Sequence, residues 1–421
     1  MSARLRDDCF ALPPGVNWTP VDTALARLRQ GLSCVTGVEE VALADGAGRI
    51  LARPVNARRD NPPAANAAVD GYAFAWASID PEKDSADLPL EPGRAAAGHP
   101  FKGPVPEGHG LRILTGAEMP RGTDTVVLQE DATVGVGRVR FALPRKAGAN
   151  SRGRGEDAAK DDPVLPAGRT LTPADLARLA AVGVDTVWVR TPLRVGVLST
   201  GDELIQPGAD PAAPGIFDAN RPMLAALAAE FGHSVTDLGA QPDRADDIRA
   251  ALDRGAAEAD AILTTGGASA GDEDYISRLL RAEGQVNTWR IAVKPGRPLA
   301  LGLWNGVPVF GLPGNPVAAF VCTLIFARPA LAVMAGRDWL LPQGFDVPAG
   351  FAKSKKPGRR EYLRARIGAD GRAEIFRSEG SGLIGGLSWA DGLVELPDEA
   401  LEIAPGDPVR YLPYASFGLR C

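Results

Sequence analysis

Two carboxylates leave a glycine-rich turn in Asp260–Asp274, DAILTTGGASAGDED, and that spacing defines the chemistry to look for. A short apolar run, Ala261–Leu263, ends in Thr264, Thr265, Gly266 and Gly267. Ser269, Gly271, Asp272 and Asp274 follow, and a helix is expected from about Tyr275. The pattern reads as strand, glycine-rich turn, helix. Glycines let the backbone approach a ligand closely, and a helix N-terminus aims free N–H groups at an anion. The two acids would repel a bare phosphate, but they can hold Mg²⁺, which bridges acid and phosphate. The stretch therefore suits a metal–phosphate site, although alone it equally suits a tight turn in any α/β domain.

Further loops add complementary groups. Lys294-Pro295-Gly296-Arg297-Pro298 sets two cations three residues apart on a proline-stiffened loop, a pairing suited to an oxyanion or phosphate. Leu312-Pro313-Gly314-Asn315-Pro316 makes a rigid turn with Asn315 as N-cap and Pro316 at the first helical position, so its free N–H groups would also face an anion. Ser199-Thr200-Gly201-Asp202-Glu203 contributes hydroxyls and carboxylates. Taken singly, these are also a surface basic pair, an ordinary helix start and a polar loop.

The elements that must position these loops alternate strand and helix over residues 193–335. Strands are expected at Leu193–Leu198, Ser234–Leu238, Ala261–Leu263, Gln285–Ala292, 298–303 and 307–311. Helices are expected at 221–231 (capped by Asn220), 243–257, 275–283 and from Asn315-Pro316. Such alternation implies a doubly wound, mostly parallel sheet with helices on both faces. Ligands in such sheets sit beyond the strand C-terminal ends, where all four polar loops fall.

Around this central α/β domain the chain changes character. Residues 20–34 read as an amphipathic helix, and 37–55 as strand, turn, then strand or short helix. Residues 56–150 break into short segments between Gly and Pro and read as a small β domain; it holds the polar clusters around Asp70-Gly71 and Thr115-Gly116. Residues 150–170 read as a charged linker, whose Arg152, Arg154, Glu156 and Asp157 would be able to reach an anion and its metal. Thr172 then caps a helix begun by Pro173. Residues 340–421 read as a second small β-rich domain, with strands at Glu361–Ile367, Ala373–Arg377 and Val409–Leu412. The expected division is 1–55 with 150–190, 56–149, 191–336 and 337–421.

Composition excludes several classes. At 421 residues the chain exceeds one ordinary domain. A formal net charge of -6 with no dominant basic stripe argues against a nucleic-acid partner; the run Lys353–Arg360 is brief. The four cysteines form no CxxC and the three histidines lack ligand spacing, so neither a disulfide framework nor a zinc site is expected. No apolar leader follows the N-terminus, and the longest apolar run, Val317–Ala327, breaks at Arg328-Pro329, too short to span a bilayer. A cytoplasmic protein without a membrane partner is expected.

Taken together, AVDGYA at 68–73, TGAEMPRGTDTVV at 115–127, RGED at 154–157, STGDEL at 199–204, GGASAGDEDY at 266–275, KPGRP at 294–298 and LPGNPV at 312–317 resemble, in family order, the molybdopterin molybdenumtransferases, the MoeA and gephyrin E-domain type of molybdenum insertase. The resemblance runs nearly end to end. It implies a four-part homodimer that takes adenylylated molybdopterin and molybdate and releases molybdenum cofactor and AMP, with Mg²⁺ or a similar divalent cation assisting. The site is then expected between the 190–335 domain of one subunit and the 56–150 domain of its partner. Transient contact with the adenylyltransferase and with molybdoenzyme acceptors is also implied.

On this reading Glu203, Asp272 and Asp274 hold the cation against the pyrophosphate. Asp70, Thr115 and Asp157 contribute to catalysis from the small-domain side. Gly266, Gly267 and Ser269 bind substrate, while Lys294, Arg297, Pro298, Pro313, Asn315 and Pro316 accept molybdate. Arg364 and Ser381 occupy positions similar to the family's remaining oxyanion contacts, Arg360 less so. Four departures stand out: Arg297 where many members have Lys, Ala318 where many have Ser, Val69 for the usual Met and Ala219 for a frequent Ser. The adenylyltransferase of the preceding step resembles only residues 190–335, and a non-enzymatic scaffold would bind molybdopterin without turnover; both are weaker fits to a chain matching outside that domain as well.

Overall fold

Strands Arg194–Thr200, Ala261–Thr265 and Val307–Leu312 are almost wholly buried, which marks them as central strands covered on both faces. The computed structural model describes residues 18–419 except 81, 145, 211, 267–274 and 297, and leaves the side chains of 285–290 and 298 undescribed. The three strands belong to a six-stranded sheet in the order Ser234–Gln241, Arg194–Thr200, Ala261–Thr265, Val307–Leu312, Pro298–Trp304, Gln285–Arg290. The first four are mutually parallel, and Pro298–Trp304 is antiparallel to both its neighbours. Side chains alternate between two cores. Val195, Val197, Leu263 and Phe310 pack with helix Asn220–Glu230 and the long helix after Pro316. Leu198, Ile262 and Val309 pack with helices Ala245–Glu258 and Tyr275–Ala282.

The chain runs from the strand Arg194–Thr200 outward to Ser234–Gln241, then crosses to Ala261–Thr265 on the other side. The strand order therefore reverses between Thr200 and Thr265, and a crevice opens at such a switch point beyond the strand ends.

The helix begun at Pro316 runs on past Arg328-Pro329, where the apolar run is expected to break, so the stretch is longer than the one expected to be too short for a bilayer. It continues through Pro316–Met334, 19 residues with mean hydropathy 2.0, and is 94% buried within the fold. A π-helical stretch, Thr323–Ala327, immediately precedes Arg328-Pro329, where proline has no N–H to donate. The helix is thus long and apolar enough to cross a membrane, yet it forms the middle of the larger core.

Helix Val21–Gly31 joins that same core through Val21, Ala24 and Leu28. Asp22 receives both guanidinium ends of Arg360 at 2.7 and 2.8 Å, clasping this helix to the C-terminal sheet. A second six-stranded sheet orders Thr125–Leu128, Gly71–Phe74, Gly110–Ile113, Ser85–Ala95, Arg138–Ala142 and Ala132–Gly135. A third gathers strands between Phe345 and Pro413 and is joined by Val293–Lys294, whose Lys294 pairs in register with Glu361. Residues 150–170 are not a free linker: Ser151–Arg152 pairs with Asn66–Ala67, and Pro163–Leu165 with Val55–Asn56. Helix Pro173–Ala181 begins as expected, with Thr172 and Asp175 forming a reciprocal capping box.

Candidate active site

The parallel strands end at Thr200, Thr265 and Leu312, and the loops leaving them enclose a cleft of about 320 Å³. Its walls include Ser199, Thr200, Glu203, Asn220, Gly266, Gly314, Asn315, Pro316 and Gly382. The glycines allow this crowding. A Cβ on Gly266, whose φ is 87°, would fall 2.1 Å from the Thr200 carbonyl oxygen, and a Cβ on Gly314 would meet the Gly266 Cα at 3.7 Å. Three loops from three strands therefore touch backbone to backbone.

Asn220 locks them. Its amide donates to Thr265 Oγ1 at 2.7 Å and to the Gly314 carbonyl at 2.6 Å, and Thr265 Oγ1 donates in turn to the Pro313 carbonyl. The sequence expectation that Asn220 caps the following helix is corrected here. The N-cap position is Ala219, which has no polar side chain to cap with; instead the Arg221 N–H donates to Asp218 Oδ1 one residue before it, and the Arg221 side chain pairs with the same carboxylate. Asn followed by a proline two residues on imitates a cap signal, and only tertiary structure shows the amide spent on neighbouring loops.

The floor of the cleft carries unused hydrogen-bonding capacity. Ser199 Oγ, Thr200 Oγ1 and Asn220 Oδ1 are buried without a partner in the structure. Buried polar atoms are ordinarily satisfied, so a cluster of unpaired ones at a cleft is a place where a polar ligand completes the network. The Glu203 side chain is exposed and folds over the Gly201 Cα, where a Cβ would lie 2.6 Å from Oε2. Among the described residues no group of three or more His, Cys, Asp or Glu could hold a metal ion. Glu203 is the described member of the expected trio; Asp272 and Asp274 lie outside the described residues, as do Gly267, Ser269 and Arg297.

Of the expected oxyanion residues, Lys294 and Arg364 line a small hollow together with Pro295, Val317 and Glu379, whereas Asn315 and Pro316 line the cleft itself. Gly296 packs toward Pro313 and Ala318, and the Val317 N–H donates to the Ser381 carbonyl at 3.1 Å. The 294–296, 313–317 and 380–382 segments therefore meet around the start of the Pro316 helix. Asn315 occupies the N-cap position but makes no side-chain cap bond. Ala318 is buried next to Gly296, so a serine hydroxyl at this position would sit beneath Gly296.

Neither Lys294 nor Arg364 is idle. Lys294 pairs with Glu379 and, at 3.5 Å, with Glu361; Lys353 bridges the same two acids. Burial would raise the Glu379 pKa, but hydrogen bonds from Lys294 and Lys353 hold it below the usual carboxylate value. Arg364 is buried and donates to the carbonyls of Leu383, Ser378 and Gly380 while stacking on Phe376. It shapes the loop that presents Ser381. Lys353 and Glu379 were not foreseen; they are far apart in sequence and converge only through the C-terminal sheet. Cys322 lies beside Gly296, but burial pushes its thiol up to about 12, which leaves it inert.

Asp70 and Thr115, expected together, do meet: the Thr115 hydroxyl and N–H both donate to Asp70 Oδ1, at 2.6 and 2.7 Å. The hydroxyl bond first and the amide bond second hold the Asp70 pKa below its ordinary value. Asp157 instead accepts from Asn61, Glu156 accepts from the Gly153 N–H, and Arg154 pairs with Asp60. Among the described residues, neither Asp70, Thr115 nor Asp157 lines the cleft with Glu203.

Comparison with known proteins places the chain alongside one family. Residues 19–183 match the model of the MoeA N-terminal region (domain I and II), 196–333 that of a probable molybdopterin binding domain, and 346–414 that of the MoeA C-terminal region (domain IV). A molybdopterin molybdenumtransferase of Haemophilus influenzae is 34% identical over 400 residues, covering 94% of this chain and 98% of the relative. Molybdopterin molybdenumtransferase 2 of Mycobacterium tuberculosis is 33% identical over 391 residues, covering 88% of this chain and 93% of the relative. The crystal structure of the molybdopterin biosynthesis moeA protein from Pyrococcus horikoshii OT3 superposes with TM-score 0.82 at 27% identity, covering 94% of this chain and all of that one (100%).

Proposed function

The chain belongs to the molybdopterin molybdenumtransferase (MoeA) family, and we propose that the cleft at the sheet's switch point receives adenylylated molybdopterin while the hollow lined by Lys294 and Arg364 receives molybdate. The protein is a transferase of molybdenum cofactor biosynthesis that inserts molybdenum into molybdopterin. The observation that carries the site assignment is the set of unpaired buried oxygens, Ser199 Oγ, Thr200 Oγ1 and Asn220 Oδ1, on the cleft floor.

Each group then has a task. The closely packed Gly266 and Gly314 backbones let a phosphate approach without a side chain between, and the Ser199 and Thr200 hydroxyls can donate to it, while Asn220 Oδ1 is left to accept from a donor on the ligand. Glu203, with Asp272 and Asp274, is the proposed ligand set for Mg²⁺ or a similar cation, and an exposed carboxylate beside hydroxyl and amide oxygens fits a hard divalent ion. When bound, that ion neutralises charge on the pyrophosphate as AMP leaves. Lys294 and the Pro313–Pro316 turn meet the molybdate dianion, with Arg364 holding Ser381 in position. Asp70, Thr115 and Asp157 are proposed to complete the site from the partner subunit of a homodimer, which accords with their absence from this cleft. The proposed units are residues 1–55 with 150–190, 56–149, 191–336 and 337–421. The proposed compartment is the cytoplasm, with transient contact to the adenylyltransferase and to molybdoenzyme acceptors.

The test is AMP release by the purified protein from adenylylated molybdopterin, with and without molybdate. Release that depends on molybdate supports the assignment. Binding without release would make the protein a carrier, and formation of adenylylated molybdopterin from molybdopterin and Mg-ATP would make it the adenylyltransferase.

A further inference from the structure

A larger cavity, about 680 Å³, opens at the opposite edge of the central sheet, where helix Asn220–Glu230 ends and strand Ser234–Gln241 begins. Nothing in the insertion chemistry uses it. Arg328 stands in its wall with 8% of its surface exposed. Its Nη2 donates to the Ser416 carbonyl at 3.3 Å, its guanidinium lies 5.6 Å from the Phe417 ring centroid, and its Nη1 is buried without a partner. Arg337 and His233 line the same cavity, and Thr170 adds a hydroxyl that is also buried and unpaired. Among the described residues neither arginine forms an ion pair; Glu230, which has contacts of its own, is the acid in the lining.

This arrangement is costly for an empty cavity. A buried guanidinium without a counter-ion loses hydration and regains little. Burial, with the charge of Arg337 added, pushes the Arg328 pKa down to about 10, and burial with the same neighbour pushes His233 down to about 4. A ligand with two negative charges and several oxygens would satisfy both guanidinium groups and the Thr170 hydroxyl together. The remaining wall, including Phe231, Phe417 and Leu340, is apolar, and the volume exceeds what an inorganic ion fills.

We infer that this cavity is a binding site for a phosphate-headed organic anion, held by Arg328, Arg337 and Thr170 with its apolar body against Phe231 and Phe417.

His233 supplies a local reporter. The chain has three histidines, and none lines the active-site cleft among the described residues. Protein labelled at histidine with ¹³C is titrated with inorganic phosphate and with phenyl phosphate at constant ionic strength, the His233 signal being assigned by its loss in His233→Gln. The expected result is a saturable shift of that signal, with phenyl phosphate binding about tenfold or more tighter than phosphate because its ring is buried. Arg337→Gln, at a partly exposed position, is expected to weaken both by about tenfold or more, and Arg328→Lys to do the same while keeping the charge. A shift no larger than chloride produces, or one unchanged in Arg337→Gln, would overturn the inference.

Discussion

Replacing Asn220 with Ala tests the lock that holds the cleft together. The side chain is 8% exposed and donates two bonds, at 2.7 Å to Thr265 Oγ1 and 2.6 Å to the Gly314 carbonyl. A net hydrogen bond contributes roughly 1 kcal/mol, and leaving a buried acceptor unpaired costs about 1–3 kcal/mol. Thr265 Oγ1 retains its bond to the Pro313 carbonyl, so the larger cost falls on Gly314. The expected destabilisation is about 2–3 kcal/mol in urea unfolding. The loops would also separate, and kcat/KM for adenylylated molybdopterin should fall by about tenfold or more, equivalent to some 1.4 kcal/mol of lost transition-state binding. Asn220→Asp should be worse than Ala, because it sets a carboxylate against the Gly314 carbonyl in place of a donor. A loss below about 0.5 kcal/mol together with unchanged kcat/KM would refute the view that Asn220 organises the site.

Other perturbations reach different parts of the account. Gly266→Ala should cost about 3 kcal/mol or more and abolish substrate binding, since the new Cβ meets Thr200 O at 2.1 Å on a backbone with φ 87°; near-native stability would show that the loop relaxes freely. Lys294→Ala should raise the molybdate requirement more than it alters nucleotide binding, whereas Glu379→Gln, by freeing Lys294 from its ion pair, should lower that requirement; equal effects of Lys294→Ala on both ligands would contradict the assignment. His233 stays neutral in the fold down to about 4, whereas the unfolded chain takes up this proton near 6.5. The unfolded state therefore binds more protons between those values, and stability should fall as pH drops through that window, by roughly 3 kcal/mol in all. His233→Gln should remove that part of the pH dependence, and an unaltered profile would contradict it.

Much of this site was legible because its determinants are local. Glycine pairs, Pro313 and Pro316, and the strand–helix alternation are short-range signals, and they located the ends of Arg194–Thr200, Ala261–Thr265 and Val307–Leu312 closely. What stayed hidden depends on contacts distant in sequence. Asn220 looks like a cap until Thr265 and Gly314 are seen beside it. Lys294 looks like a free cation until Glu379 and Glu361 come across from the C-terminal sheet. Arg328-Pro329 looks like the end of an apolar stretch because nothing in the sequence marks the π-helical turn Thr323–Ala327 through which the helix continues. Residues 150–170 look like a linker because charged, glycine-rich sequence gives no hint of the edge strands it pairs with.

The most direct test of the cleft as the substrate site is amide hydrogen exchange with and without adenylylated molybdopterin. The account predicts slowed exchange at 199–204, 216–220, 264–266 and 314–317 together, with Asn220→Ala reducing the effect at all four. Protection confined to other surfaces, with these segments unchanged, would contradict it.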